Sequence, residues 1–200
     1  MKAILASVCL LTMVSMVFAA PPVAKTPAAV DEVVYARPFT LSESFRYDWC
    51  NAPFQVSEGT ILVLKVQTNL VIPRQIEEPV LYVGNQAAMR LNQGDKSGHL
   101  IVVVPGEVDL TKDLVWFGTP ELPGRVTPGQ IEAQRRLADQ AGIKPLSAEK
   151  AKVATDNGGP RVKAKDMTTL LRDVIAGLVD QYSPQEKVLS ETWRMEPLSN

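Results

Sequence analysis

Histidine is almost missing from this chain: His99 is the only one in 200 residues. With no CxxC, HxxxH or HExxH spacing either, a single chain has no ligand set for a zinc or copper site. The catalytic spacings are equally thin. There is no G-x-S-x-G elbow, no phosphate-cradling glycine loop and no dinucleotide fingerprint. Cysteine is scarce too, with Cys9 and Cys50 alone. Cys9 falls in the leader described below, so Cys50 has no partner for an internal disulfide and the core must hold by packing. No Asn-x-Ser/Thr sequon occurs, which removes the usual mark of a glycosylated eukaryotic secretory product. Charge of one sign is lacking as well. The net charge of -1 and the absence of a polybasic run leave no electrostatic footprint for nucleic acid or an anionic membrane.

What is present begins with an export signal. Lys2 supplies a positive start, Ala3 to Phe18 is mostly apolar, and Val17-Phe18-Ala19 offers a cleavage site. The apolar run is shorter than the roughly 20 residues a spanning helix needs. A signal peptide over 1–19 is therefore expected, with no transmembrane segment after its removal. Residues 20–30, APPVAKTPAAV, read as a Pro/Ala-rich tether.

From residue 31 to 120 the pattern is that of strands. Val80 to Val83 and Leu100 to Val104 are short β-branched runs bounded by Pro or Gly, with a tight turn at Gly84-Asn85. Ile61 and Val63 alternate with Leu62, Leu64 and Val66, so a strand covered on both faces is expected there. Pro38 should make Asp31 to Leu41 an edge strand or two short ones, and Phe45, Tyr47 and Trp49 alternate in another. Leu114 to Gly118 reads as the last strand.

Beyond residue 121 the spacing becomes helical. Thr127, Pro128 and Gln130 form a capping box with proline at the first turn, and Ser147 and Asp166 cap two further helices. Met167, Leu170, Leu171, Val174, Ile175, Leu178 and Tyr182 make the clearest amphipathic stripe, ended by Ser183-Pro184. A β-block followed by helices implies an α+β fold. The expected form is an N-terminal antiparallel β-sandwich of about seven short strands, then three or four helices docked on it or on a partner.

The residues able to carry chemistry fit bland roles. Ser97 and Cys50 could each be paired with His99 as nucleophiles, but neither pairing shows an orienting third group. His99 reads as a structural residue, Cys50 as an inert thiol and Asn92 to Gly98 as turn chemistry with one carboxylate. Asp109 and Asp113 flank Lys112 in another turn. The basic stretch 135–165 is interleaved with acids and reads as a solvated face. No catalytic, metal or cofactor residue is assigned.

The junction Val115 to Arg125 supplies the interaction candidates Trp116, Phe117, Glu121 and Arg125, because aromatics beside rigid prolines make low-entropy contacts. The competing role for Trp116 and Phe117 is to seal the β-block under the first helix. The reading that follows is an exported, non-enzymatic binding or structural protein of the bacterial envelope. Its partner would be another envelope or extracellular protein. A hydrolase with a hidden site and a carrier of an apolar small molecule are the alternatives.

Overall fold

The structure is a computed structural model that describes residues 27–49, 52–66, 80–92, 98–118 and 127–184. It is a mixed α+β fold with two sheets. Nine strands are described: β1 Ala28–Ala29, β2 Glu32–Trp49, β3 Ala52–Lys65, β4 Val80–Val83, β5 Gln86–Ala87, β6 Met89–Arg90, β7 His99–Pro105, β8 Val115–Gly118 and β9 Val162–Ala164. The helices are α1 Pro128–Gln140 and α2 Ala148–Gly158, then α3 Met167–Leu170, which runs through a π-helical turn, Leu171–Ile175, into α4 Ala176–Tyr182. One sheet has the order β1-β8-β4-β5 and the other β6-β7-β3-β2-β9.

Three apolar clusters organise these elements. The first draws Leu62, Leu64, Leu100 and Val102 from the five-stranded sheet and Leu81, Val83, Val115 and Phe117 from the four-stranded one, with Ala151 and Ala154 of α2. The second lies between the other face of the five-stranded sheet, including Ile61, Val63, Ile101 and Val103, and the buried residues of α3 and α4. The third joins Tyr82 and Trp116 to Ile131 and Ala138 of α1. Alternation along β3 thus sends Ile61 and Val63 one way and Leu62, Leu64 and Val66 the other. Both faces are dry, which is why the run needs no polar residue.

Close backbone approach rests on glycine at two points. A Cβ on Gly59 would lie 2.6 Å from both Phe39 Cζ and Val104 O, so only glycine lets the Phe39 ring cross β3. A Cβ on Gly158 would collide with Ala36 O, so α2 ends flat against β2. Gly84 has a φ of 57° and turns β4 into β5, as the Gly84-Asn85 pair implies.

Several expectations are corrected. Pro38 does not break the strand: β2 runs through it and absorbs irregularity as register shifts between Val33 and Tyr35 and between Thr40 and Phe45. Pro38 sits just before β9 joins the outer edge of β2 at Phe39, where no described strand on that side asks for its missing amide. Seven of the described strands, β2 to β8, fall within residues 31–120 as expected, but two of them, β2 and β3, are long rather than short. Leu114 to Gly118 is not the last strand, because β9 returns from the helical segment and pairs parallel with β2. Three residues are too few to carry a period-two signal. The tether is not wholly outside the fold, since Ala28 and Ala29 pair with Phe117 and Trp116. The amphipathic stripe is also not one regular helix, for the π turn divides it.

The caps are where the sequence put them. Thr127 and Gln130 exchange both capping-box hydrogen bonds, Ser147 accepts from the Lys150 amide and Asp166 from the Thr169 amide. Among the described residues no helix is long and apolar enough to cross a membrane.

Candidate functional site

A groove of about 580 Å³ opens between α2 and the loop that follows β7. Its position follows from small side chains. Ala151, Ala154 and Gly158 are the buried residues of α2, and they bring the helix axis close to β2. On the flank beside that contact, Ala36, Pro38, Leu110 and Ala151 line an apolar floor. Glu107, Asp109, Lys152 and Asp156 supply charge around it, and Thr60, Thr111 and Thr155 supply hydroxyls.

The loop wall is held by a dense set of hydrogen bonds. Thr60 Oγ1 donates to Gly106 O at 3.1 Å and accepts from the Val108 amide at 3.2 Å, fixing the chain as it leaves the Pro105-Gly106 turn. Asp109 Oδ1 accepts from the Thr111 amide at 3.0 Å and from Thr111 Oγ1 at 2.6 Å. Its Oδ2 lies 2.7 Å from Lys112 Nζ. The Asp109 amide in turn donates to Asp113 Oδ2 at 2.8 Å. The Leu146 amide donates to Leu110 O at 3.0 Å, tying the loop to the segment that enters α2. Arg161, just after α2, reaches Glu107 at 3.4 Å.

These contacts set the electrostatics. The Lys112 ammonium, then the Thr111 hydroxyl and amide, hold the Asp109 carboxyl down at about 2. Lys112 is raised by the same partner. Asp109 therefore stays ionised through the whole range in which a general acid or base exchanges protons, and it serves as an anchor of the loop. The groove offers an apolar floor, fixed hydroxyls and charge of both signs, which suits recognition of a flat or extended ligand.

The sequence candidates lie elsewhere. Trp116 has no exposed surface; its ring stacks on Tyr82 with centroids 5.3 Å apart and planes at 22°, beneath α1. Phe117 points the other way, into the cluster between the sheets, and is 5% exposed. Glu121, Arg125 and Cys50 lie outside the described residues, as does the centre of the 92–98 loop. The two ends of that loop have structural partners. Asn92 is fully buried, accepts from the Ile101 amide at 2.7 Å and donates to His99 O and Ser183 Oγ at 2.9 Å each. The His99 ring packs at a tilt on Tyr182. Neither Asn92 nor His99 lines the groove.

The groove residues escaped the sequence reading because they come from positions as far apart as Ala36 and Asp156. Only the Asp109-Lys112-Asp113 grouping gave a signal, and it correctly reads as a turn. Ser147 and Lys150 have the Ser-x-x-Lys spacing of some serine nucleophiles. Here the Ser147 hydroxyl accepts from the Lys150 amide as the cap of α2. Among the described residues no group of three or more His, Cys, Asp or Glu is arranged to hold a metal ion. No family model matches the chain, and the comparisons with curated proteins and with solved structures found no match.

Proposed function

We propose that this is an exported binding protein without catalytic activity, and that it engages a protein partner through the groove between α2 and the 107–111 loop. The observation that carries this reading is the preorganised wall: the best-placed carboxylate, Asp109, is locked as an anion by Lys112 and Thr111 beside an aliphatic floor. A rigid, partly apolar surface loses little entropy on binding, and Asp109 is held as an anion rather than poised to move a proton. An extended segment with an aliphatic side chain for the floor and polar groups for the rim fits this chemistry.

The finer architecture belongs to the same proposal. The cluster shared by the two sheets supports a sandwich, with α1 on one outer face and α3–α4 on the other. The leader over residues 1–19 and the absence of sequons support export in a bacterium, to the periplasm or beyond. A partner there would be another envelope or extracellular protein.

The test uses the mature chain as bait against an envelope fraction, with Thr155→Arg as the matched control. Thr155 is exposed, and among the described residues its hydroxyl bonds within α2, to Ala151 O. The arginine fills the groove and should move stability by no more than about 0.5 kcal/mol. The expected result is one partner, then purified, whose affinity falls at least tenfold with Thr155→Arg. Equal binding by both baits would overturn the reading. Hydrolytic turnover lost with the same substitution would replace it with the hydrolase alternative.

A further inference from the structure

Strand β8 is an edge waiting to happen. All four of its residues are buried, and Val115, Trp116 and Phe117 are large and apolar. One side pairs with β4 over the whole strand. Among the described residues the other side is closed by two, Ala28 and Ala29, which face Phe117 and Trp116. Native sheets protect edges with charge, proline, bulges or a covering segment. β8 has no charged residue and no proline, so β1 is its described cover.

That cover is small and lies near the start of the described chain. Ala28 and Val30 pack against the cluster between the sheets, while Ala29 faces outward and is exposed. Val30 and Asp31 alone join β1 to β2 of the other sheet, so a two-residue link carries the segment across. A two-residue strand contributes few ladder bonds, and such elements open at the low-stability end of a fold. Once β1 leaves, the β8 edge presents unpaired amides and carbonyls beside a pocket for a small residue and, two positions on, a β-branched one.

We propose that the β8 edge is a strand-acceptor site and that the Ala28–Val30 segment of a second copy of this chain is the occupant it exchanges for its own. The incoming segment already has the required shape, since it is the one seated there: small at position 28, unconstrained at 29, aliphatic at 30. Exchange recreates the same pairs between copies, and the cost falls on opening the Val30-Asp31 link. This exchange is independent of the groove and stands whether or not the groove binds a partner.

The experiment compares the full chain with its Ala28→Asp variant. The substitution sets a carboxylate against the apolar cluster and releases β1 without touching β8. The probe is a fluorescent synthetic peptide of residues 20–31, read by anisotropy. The Ala28→Asp chain should bind the native peptide saturably and at least tenfold more tightly than a peptide carrying the same Ala28→Asp change. The wild-type chain, its edge already filled, should bind either peptide at least tenfold more weakly. Wild-type protein refolded at high concentration should give a dimer by light scattering that the Ala28→Asp chain does not form. Equal binding of the two peptides, no binding, or a wild-type chain monomeric at every concentration would overturn the exchange. Loss of folded circular dichroism in Ala28→Asp would overturn it too, because β1 would then be inseparable from the fold.

Discussion

Asp109 shows how much of a wall one side chain can hold. Its two oxygens take a lysine, a hydroxyl and an amide, and its own amide is held by Asp113. The folded pKa of about 2 lies below the usual 3.8. The stabilisation from these contacts is therefore complete above about pH 4 and is lost as pH falls through about 2. Lys112, raised above 10.5, gives the opposite dependence: its share is complete below that value and disappears as alkali titrates the ammonium. In Lys112→Ala the Asp109 pKa should rise toward the usual value, because the lysine contact is the largest cause of the shift. Thr111→Val should raise it less. Carboxyl carbon shifts followed by NMR from pH 1.5 to pH 6 would check both. A Lys112→Ala carboxyl still near 2 would transfer the anchoring role to Thr111.

At the scale of elements, the helical stripe is the instructive case. Met167 and Leu170 are buried at normal α-helical spacing, but the next buried residue is Ile175, followed by Leu178 and Val179. The step from 170 to 175 is one residue longer than a helix turn allows for a single face. The π turn absorbs it, with the Ala176 amide reaching back five residues to Leu171 O. Arg172 lies within that turn and is exposed, and its described partner is the neighbouring Asp173. Deleting Arg172 should convert the turn to regular α-helix and leave Leu170, Ile175, Leu178 and Val179 on the same face. The melting temperature is expected to stay within a few degrees of wild type. Leu170→Ala instead should cost about 3 kcal/mol, as truncation of a large buried side chain does. Thermal unfolding of the Arg172 deletion, with Leu170→Ala as the destabilised reference, decides whether the π turn is an inserted residue or a fixed part of the core.

Across the whole molecule, β3 and β7 form the most enclosed layer. Residues Ile61 to Leu64 and Leu100 to Val104 are at most 1% exposed, and each strand is flanked by apolar clusters on both faces. Opening them requires both sheets to part, so their amides should exchange only through global unfolding. α1 rests on a smaller cluster, and β1 caps an edge with two residues, so these should exchange first. Native-state hydrogen exchange would give that order. Protection in β1 equal to that in β3 would mean that the N-terminal segment is bound as firmly as the core.

The fold was legible where a property is local and repeated. The period-two run of β3, the hairpin glycine, the three caps and the Ser183 stop are set by neighbours within a few residues, and each stands where the spacing predicts. The groove was not legible, because Ala36, Thr60, Asp109 and Asp156 become neighbours only when α2 settles on β2, and that contact depends on the small residues Ala151, Ala154 and Gly158, the last against the Ala36 carbonyl. β9 and β1 escaped for a related reason: strands of three and two residues have no period of their own and exist through the edges they pair with. The sequence by itself determined the longer strands and the helices, and which faces of them must be dry, because hydrophobic burial and backbone capping act at fixed spacing along the chain. The tertiary structure alone decided which strands close each sheet, that Trp116 lies under a helix, and where a groove opens. Those depend on the meeting of distant backbones, for which no spacing in the chain provides a signal.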